Sequence, residues 1–124
     1  MVTETMSDRS ERLRNLVKRV YRNLGNYEKA LEYYERALKG SETTMGKTHP
    51  QTLATVGNIA IVYNTTEDYG KSEEFYQRSL EGKVAQLGKD HKSTMRCAEN
   101  YRICLEDSGN SAGQAELRKA YHNV

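Results

Sequence analysis

Apolar side chains recur along this chain at i, i+3, i+4 and i+7, the spacing that lines one face of an α-helix. Tyr27, Ala30, Leu31, Tyr34, Ala37, Leu38 and Met45 form one such stripe, and Leu53, Val56, Ile59, Ala60 and Tyr63 form the next. Strand-like alternation of β-branched residues is nearly absent, while Leu, Glu, Lys, Arg and Ala fill the helical spacings. Pro50, the sole proline, suits a first helical turn, where its missing N–H would have no partner in any case. Gly25-Asn26 and Ser108-Gly109-Asn110 read as turns between paired helices. The pattern predicts an all-α chain of about six helices, roughly 9–23, 27–45, 50–66, 69–86, 92–107 and 111–122.

The two stripes belong to a longer repetition. Displacing the chain against itself by 42 positions pairs Tyr27 with Tyr69, Lys29 with Lys71, Glu32 with Glu74, Tyr34 with Tyr76 and Arg36 with Arg78. The same register pairs Leu38 with Leu80, Gly40 with Gly82, Gly46 with Gly88, Lys47 with Lys89 and His49 with His91. Thr52 with Thr94, Asn58 with Asn100 and Ile61 with Ile103 bring the total to 13 identities between Leu24 and Thr65. Average residue usage gives roughly two or three by chance. Each repeat holds two helical patterns, and a unit of that kind buries its apolar face only by stacking on its neighbours.

The series Gly25, Tyr27, Ala30, Tyr34, Ala37, repeated as Tyr69, Ser72, Tyr76, Ser79, resembles the second helix of the tetratricopeptide repeat. The usual period of that family is about 34 residues. The longer period here, with Met45-Gly46-Lys47-Thr48-His49-Pro50-Gln51-Thr52-Leu53 leading to Asn58-Ile59-Ala60 and Tyr63, looks like the kinesin light chain subgroup. A second copy runs from Leu87-Gly88-Lys89-Asp90-His91 through Thr94 to Asn100. The resemblance implies an α-solenoid of three antiparallel helix pairs, with repeats at about 9–45, 49–87 and 91–122 after a flexible tail at residues 1–8. Some residues depart from the family pattern. Lys18 and Arg102 stand where a small residue such as Ala60 is usual, and Lys92 replaces the proline. Ser111, Gln114 and Arg118 replace Tyr27, Ala30 and Tyr34 in the last helix, the drift expected where one face meets water.

Composition narrows the functional classes. In 124 residues, 19 Lys and Arg oppose 17 Asp and Glu, a formal charge of +2, too even for the broad basic footprint of nucleic-acid binding. The longest apolar run is Ile59-Ala60-Ile61-Val62-Tyr63, far short of a membrane span of about 20 residues. No basic stretch leads into an apolar one at the N-terminus, so a cytoplasmic location is expected. Cys97 and Cys104 lie seven positions apart on one helix, about 10.5 Å along its axis and beyond disulfide reach; they read as small buried hydrophobes. His49 and His91 occupy equivalent turns in successive repeats, and with no converging third ligand they do not suggest a metal. No nucleophile elbow or phosphate loop is present, so neither enzymatic activity nor a cofactor is expected.

Charge is unevenly placed. Residues 1–23 hold six Lys and Arg against three Asp and Glu, and residues 49–66 hold no charged side chain. A middle helix covered on both sides by a stack would read this way. In the resembled superhelix the first helix of each pair lines the concave face. That resemblance places Arg12, Asn15, Arg19 and Arg22 there from repeat one, and Ala54, Gly57, Asn58, Ile61 and Thr65 from repeat two. Repeat three would add Arg96, Glu99, Asn100, Ile103 and Glu106. Asn58 and Asn100 match the position that grips an extended peptide backbone, where an amide donates and accepts at once. Arg12, Arg19 and Arg96 would meet ligand carboxylates with guanidinium forks. The chaperone-type carboxylate clamp is incomplete, with Asn15 where it needs Lys and Arg19 where it needs Asn. The expectation is a non-catalytic interaction module for partly acidic peptide segments of other proteins, as a monomer or with weak self-association. The alternative is a self-associating structural unit or a piece of a longer array.

Overall fold

In a computed structural model, the backbone of residues 6–121 and the side chains of residues 10–16 and 23–121 are described. Among the described residues five helices follow one another: α1 (Met6–Thr44), α2 (Pro50–Thr65), α3 (Tyr69–Leu87), α4 (Lys92–Asp107) and α5 (Ser111–Ala120). Each packs on the next in chain order, the neighbour-on-neighbour stacking of an all-α solenoid.

The starts of α2 and α4 show why His49 and His91 recur. His49 Nδ1 accepts from the N–H of Gln51 at 3.1 Å, and His91 Nδ1 accepts from the N–H of Ser93 at 3.1 Å. Each imidazole thus caps a helix N-terminus, satisfying one of its unpaired donors. The glycines of the preceding loops, Gly46 and Gly88, have φ of 100° and 85°, a region open to glycine and closed to most side chains. Between α2 and α3 it is Glu67 that takes positive φ, at 65°.

The core lies where α2, α3 and α4 meet. Val56, Ile59 and Ala60 of α2 are fully enclosed, as are Ala98 and Cys104 of α4. Ser72 Oγ donates to the Ala60 carbonyl oxygen at 2.7 Å, which ties α3 to α2 without stranding a buried hydroxyl. Tyr63 and Phe75 bring their rings to 5.7 Å across the same pair, and Lys71 Nζ lies 5.4 Å from the Tyr63 ring centre. Cys97 and Cys104 are buried free thiols beside Ser79 and Ser72, and burial pushes both pKa values up.

Gly82 marks the closest approach of α3 to α2. A Cβ there would stand 2.5 Å from Cδ2 of Leu53, itself buried. Gly82→Ala gains about 1 kcal/mol of helix propensity but forces overpacking that typically costs about 1–3 kcal/mol. A net loss is therefore expected, read as a lower urea midpoint. A raised midpoint would show that Leu53 yields at no cost.

One expected element differs. The turn anticipated at Gly25-Asn26 is absent: α1 runs through it for 39 residues. A glycine inside a helix costs only about 1 kcal/mol relative to Ala, and no proline removes a donor, so the helix continues. The two helices expected at 9–23 and 27–45 are thus one. Its start at Met6 falls inside the segment expected as a tail, of which residues 1–5 lie outside the described residues.

Candidate functional site

Helices α2 and α4 lie on either side of α3 and leave a groove of about 200 Å³ between them. Ala54, Gly57, Asn58 and Ile61 line it from α2, and Arg96, Cys97 and Asn100 from α4. Tyr76, Ser79 and Lys83 of α3 form the floor. The repeat makes this possible: Asn58 and Asn100 are 42 residues apart, so successive first helices present their amides to the same side.

Four of the seven residues expected at the site, Asn58, Ile61, Arg96 and Asn100, meet in this groove. Arg12 and Asn15 do not line it; both are exposed on the first half of α1. That placement follows from the missing turn, since a continuous helix at 1.5 Å per residue carries Arg12 about 48 Å from the end of α1 at Thr44. The side chain of Arg19 lies outside the described residues.

The groove's chemistry is lopsided. Among the described residues its lining includes the cations Lys83 and Arg96 and no carboxylate. Glu99, a turn away from Arg96, faces Arg102 instead: its carboxylate accepts from the Arg102 guanidinium at 2.6 Å, which holds its pKa below the usual range. Lys83 Nζ donates to Ser93 Oγ at 3.1 Å, which steers the ammonium toward the α4 side. Among the described residues, no side chain or carbonyl hydrogen-bonds to the Asn58 or Asn100 amides. Asn58 is exposed and Asn100 half-buried. Gly57 adds room, since a Cβ there would meet nothing nearer than Ser79 Oγ at 3.9 Å. Exposed Ile61 supplies an apolar wall.

Lys83, Tyr76 and Ser79 were not among the residues expected at the site. They stand at i, i+3 and i+7 on α3, so one face of that helix carries all three; the family analogy directs attention to first helices only. Among the described residues, no group of three or more His, Cys, Asp or Glu could hold a metal ion, and no helix is long and apolar enough to cross a membrane.

A family model described as tetratricopeptide repeat matches residues 10–83. No curated protein matches the chain.

Proposed function

The chain belongs to the tetratricopeptide repeat family, whose repeats generally mediate protein–protein interaction, and from that premise we propose that it is a non-catalytic module holding an extended, partly acidic peptide in the groove between α2 and α4. The observation that carries this reading is the lining itself, two amides and two cations with no carboxylate among the described residues. Asn58 and Asn100 can each donate to and accept from a peptide backbone. Arg96 and Lys83 favour carboxylates on the bound segment. A volume of about 200 Å³ suits one bulky side chain against Ile61 and is below the ~300 Å³ at which small-molecule pockets usually begin. The 42-residue period and the His-Pro opening of α2 support placing the protein near the kinesin light chain subgroup.

A short peptide held by such contacts binds near micromolar, about −8 kcal/mol. Arrays of acidic, aromatic-containing peptides at low salt should yield ligands with carboxylates flanking a bulky residue. Salt should weaken them, because the exposed charges are screened. Replacing Asn58 and Arg96 together with Ala is expected to weaken such a ligand about a hundredfold, as a neutral and a charge-assisted hydrogen bond are lost. Helicity and melting should stay unchanged, because neither side chain is buried. Undiminished affinity in the double variant would place the ligand elsewhere.

A further inference from the structure

As one continuous helix, α1 does not fold its first half onto its second, as the repeat folds α2 onto α3 and α4 onto α5. In register, residues 9–23 correspond to α2 and residues 27–44 to α3. Within one chain α2 and α3 fold against each other, joining Tyr63 to Phe75, Lys71 to Tyr63 and Leu53 to Gly82. The corresponding residues in α1 are Tyr21 and Tyr33, Lys29 and Tyr21, and Glu11 and Gly40, so both aromatics, the lysine and the glycine of that interface are repeated. A straight helix cannot bring its own halves together.

The face that would receive them is open. Tyr33 is 68% exposed, whereas Phe75, its equivalent, is half-buried. Gly40 has nothing within 4 Å of where a Cβ would be, whereas Gly82 has Leu53 at 2.5 Å. On the first half Leu13 is 62% exposed and Leu16 is exposed beside it.

We infer that two copies of this chain pair through α1, antiparallel, so that residues 9–23 of each dock on the Tyr33–Gly40 face of the other. The register locates the axis. Leu53 and Gly82 are centred between residues 67 and 68, which correspond to Gly25 and Asn26. A two-fold axis there lets each contact occur twice, as an isologous interface requires. Charge sets the direction: residues 9–23 hold six Lys and Arg and one Glu, and residues 27–44 hold three Lys and Arg and four Glu. Antiparallel pairing puts each strongly basic half beside the partner's weakly acidic one, and parallel pairing would oppose the two basic halves. Two strips about 21 Å long and 10 Å wide cover about 420 Å² in projection, or about 840 Å² when the surfaces of both partners are counted, below the ~1,200 Å² of standard stable interfaces, so the dimer dissociates on dilution.

This pairing uses α1 alone and stands or falls apart from the groove. In sedimentation equilibrium the mass should rise from 14.2 kDa toward twice that value as protein concentration increases. A chain carrying both Glu11→Cys and Gly40→Cys should give a disulfide-linked dimer on a non-reducing gel; the native thiols are buried. An internally linked monomer would show that the helix folds back at Gly25 onto its own chain, and would overturn the inference. Gly40→Trp should leave helicity intact, because its surroundings in the single chain are open, and keep the mass at the monomer value at every concentration. A mass profile unchanged by Gly40→Trp, or a wild-type chain that stays monomeric at millimolar concentration, would equally overturn it.

Discussion

Leu105→Ala is expected to lower stability by about 3–4 kcal/mol, within the usual range for deleting a fully buried leucine. Leu105 is 1% exposed and belongs to a cluster with Leu80 of α3, Cys97 and Ala98 of α4, and Leu117 of α5, against which Val84, Tyr101 and Tyr121 pack. Three helices meet on this side chain. The approach at Gly113 leaves no slack, since a Cβ there would lie 2.9 Å from Leu105 Cδ2. Truncation therefore leaves a cavity and loosens the ten-residue α5, which is too short to hold a helix unaided. With a urea dependence of about 1–3 kcal/mol per molar, the unfolding midpoint should fall by about 2 M. Ile103→Ala is the control. It lies two positions away on the same helix and is 41% exposed, so its loss should stay below about 1 kcal/mol. Equal effects at the two positions would mean that α5 is not docked through Leu105.

That contrast shows what the amino-acid pattern could and could not reveal. Ile103 and Leu105 are both aliphatic residues of one helix, and the repeat puts Ile103 in register with Ile61, which marks both as outward positions. Helices α2 to α4 were legible because their signals recur 42 residues apart, and the cap at His49 or the loop glycine at Gly46 is reinforced by its copy; α5 was legible from the Ser108-Gly109-Asn110 turn before it. The half-groove formed by Asn58, Ile61, Arg96 and Asn100 was legible for the same reason. The break at Gly25 was not. A turn and a continuous helix there differ by about the cost of one helical glycine, and nothing in Leu24-Gly25-Asn26 decides between them. Arg12 and Asn15 left the groove with that turn. Lys83 went unseen because its partner in register is Ser41, so no repetition draws attention to it.

The floor of the groove also predicts how the protein fails in alkali. Tyr76 is 5% exposed, stacked on Tyr101 with ring centres 6.1 Å apart, and packed against Ala60 and Cys104. Burial raises its pKa from 10.0 to about 12, and the ionisable neighbours Cys104, Cys97 and Asp107 push the same way. The unfolded chain releases this proton near pH 10, while the folded one keeps it, so the folded state binds more protons between those values. Stability is therefore intact below pH 10 and lost as pH rises toward 12. Two pKa units correspond to about 2.7 kcal/mol, of which about 1.4 kcal/mol is lost by pH 11. Urea unfolding at pH 8 and pH 11 measures this, with Tyr76→Phe as the comparison. Phenylalanine keeps the ring in its place and removes the ionisable hydroxyl, so the variant should lose about 1.4 kcal/mol less than the wild type between the two pH values. Changes common to both proteins, including those of the lysines, cancel in that difference. A Tyr76→Phe variant that weakens in alkali as steeply as the wild type would mean that Tyr76 reaches water from the groove. Its ring would then belong to the wall that a bound peptide meets, rather than to the core beneath it.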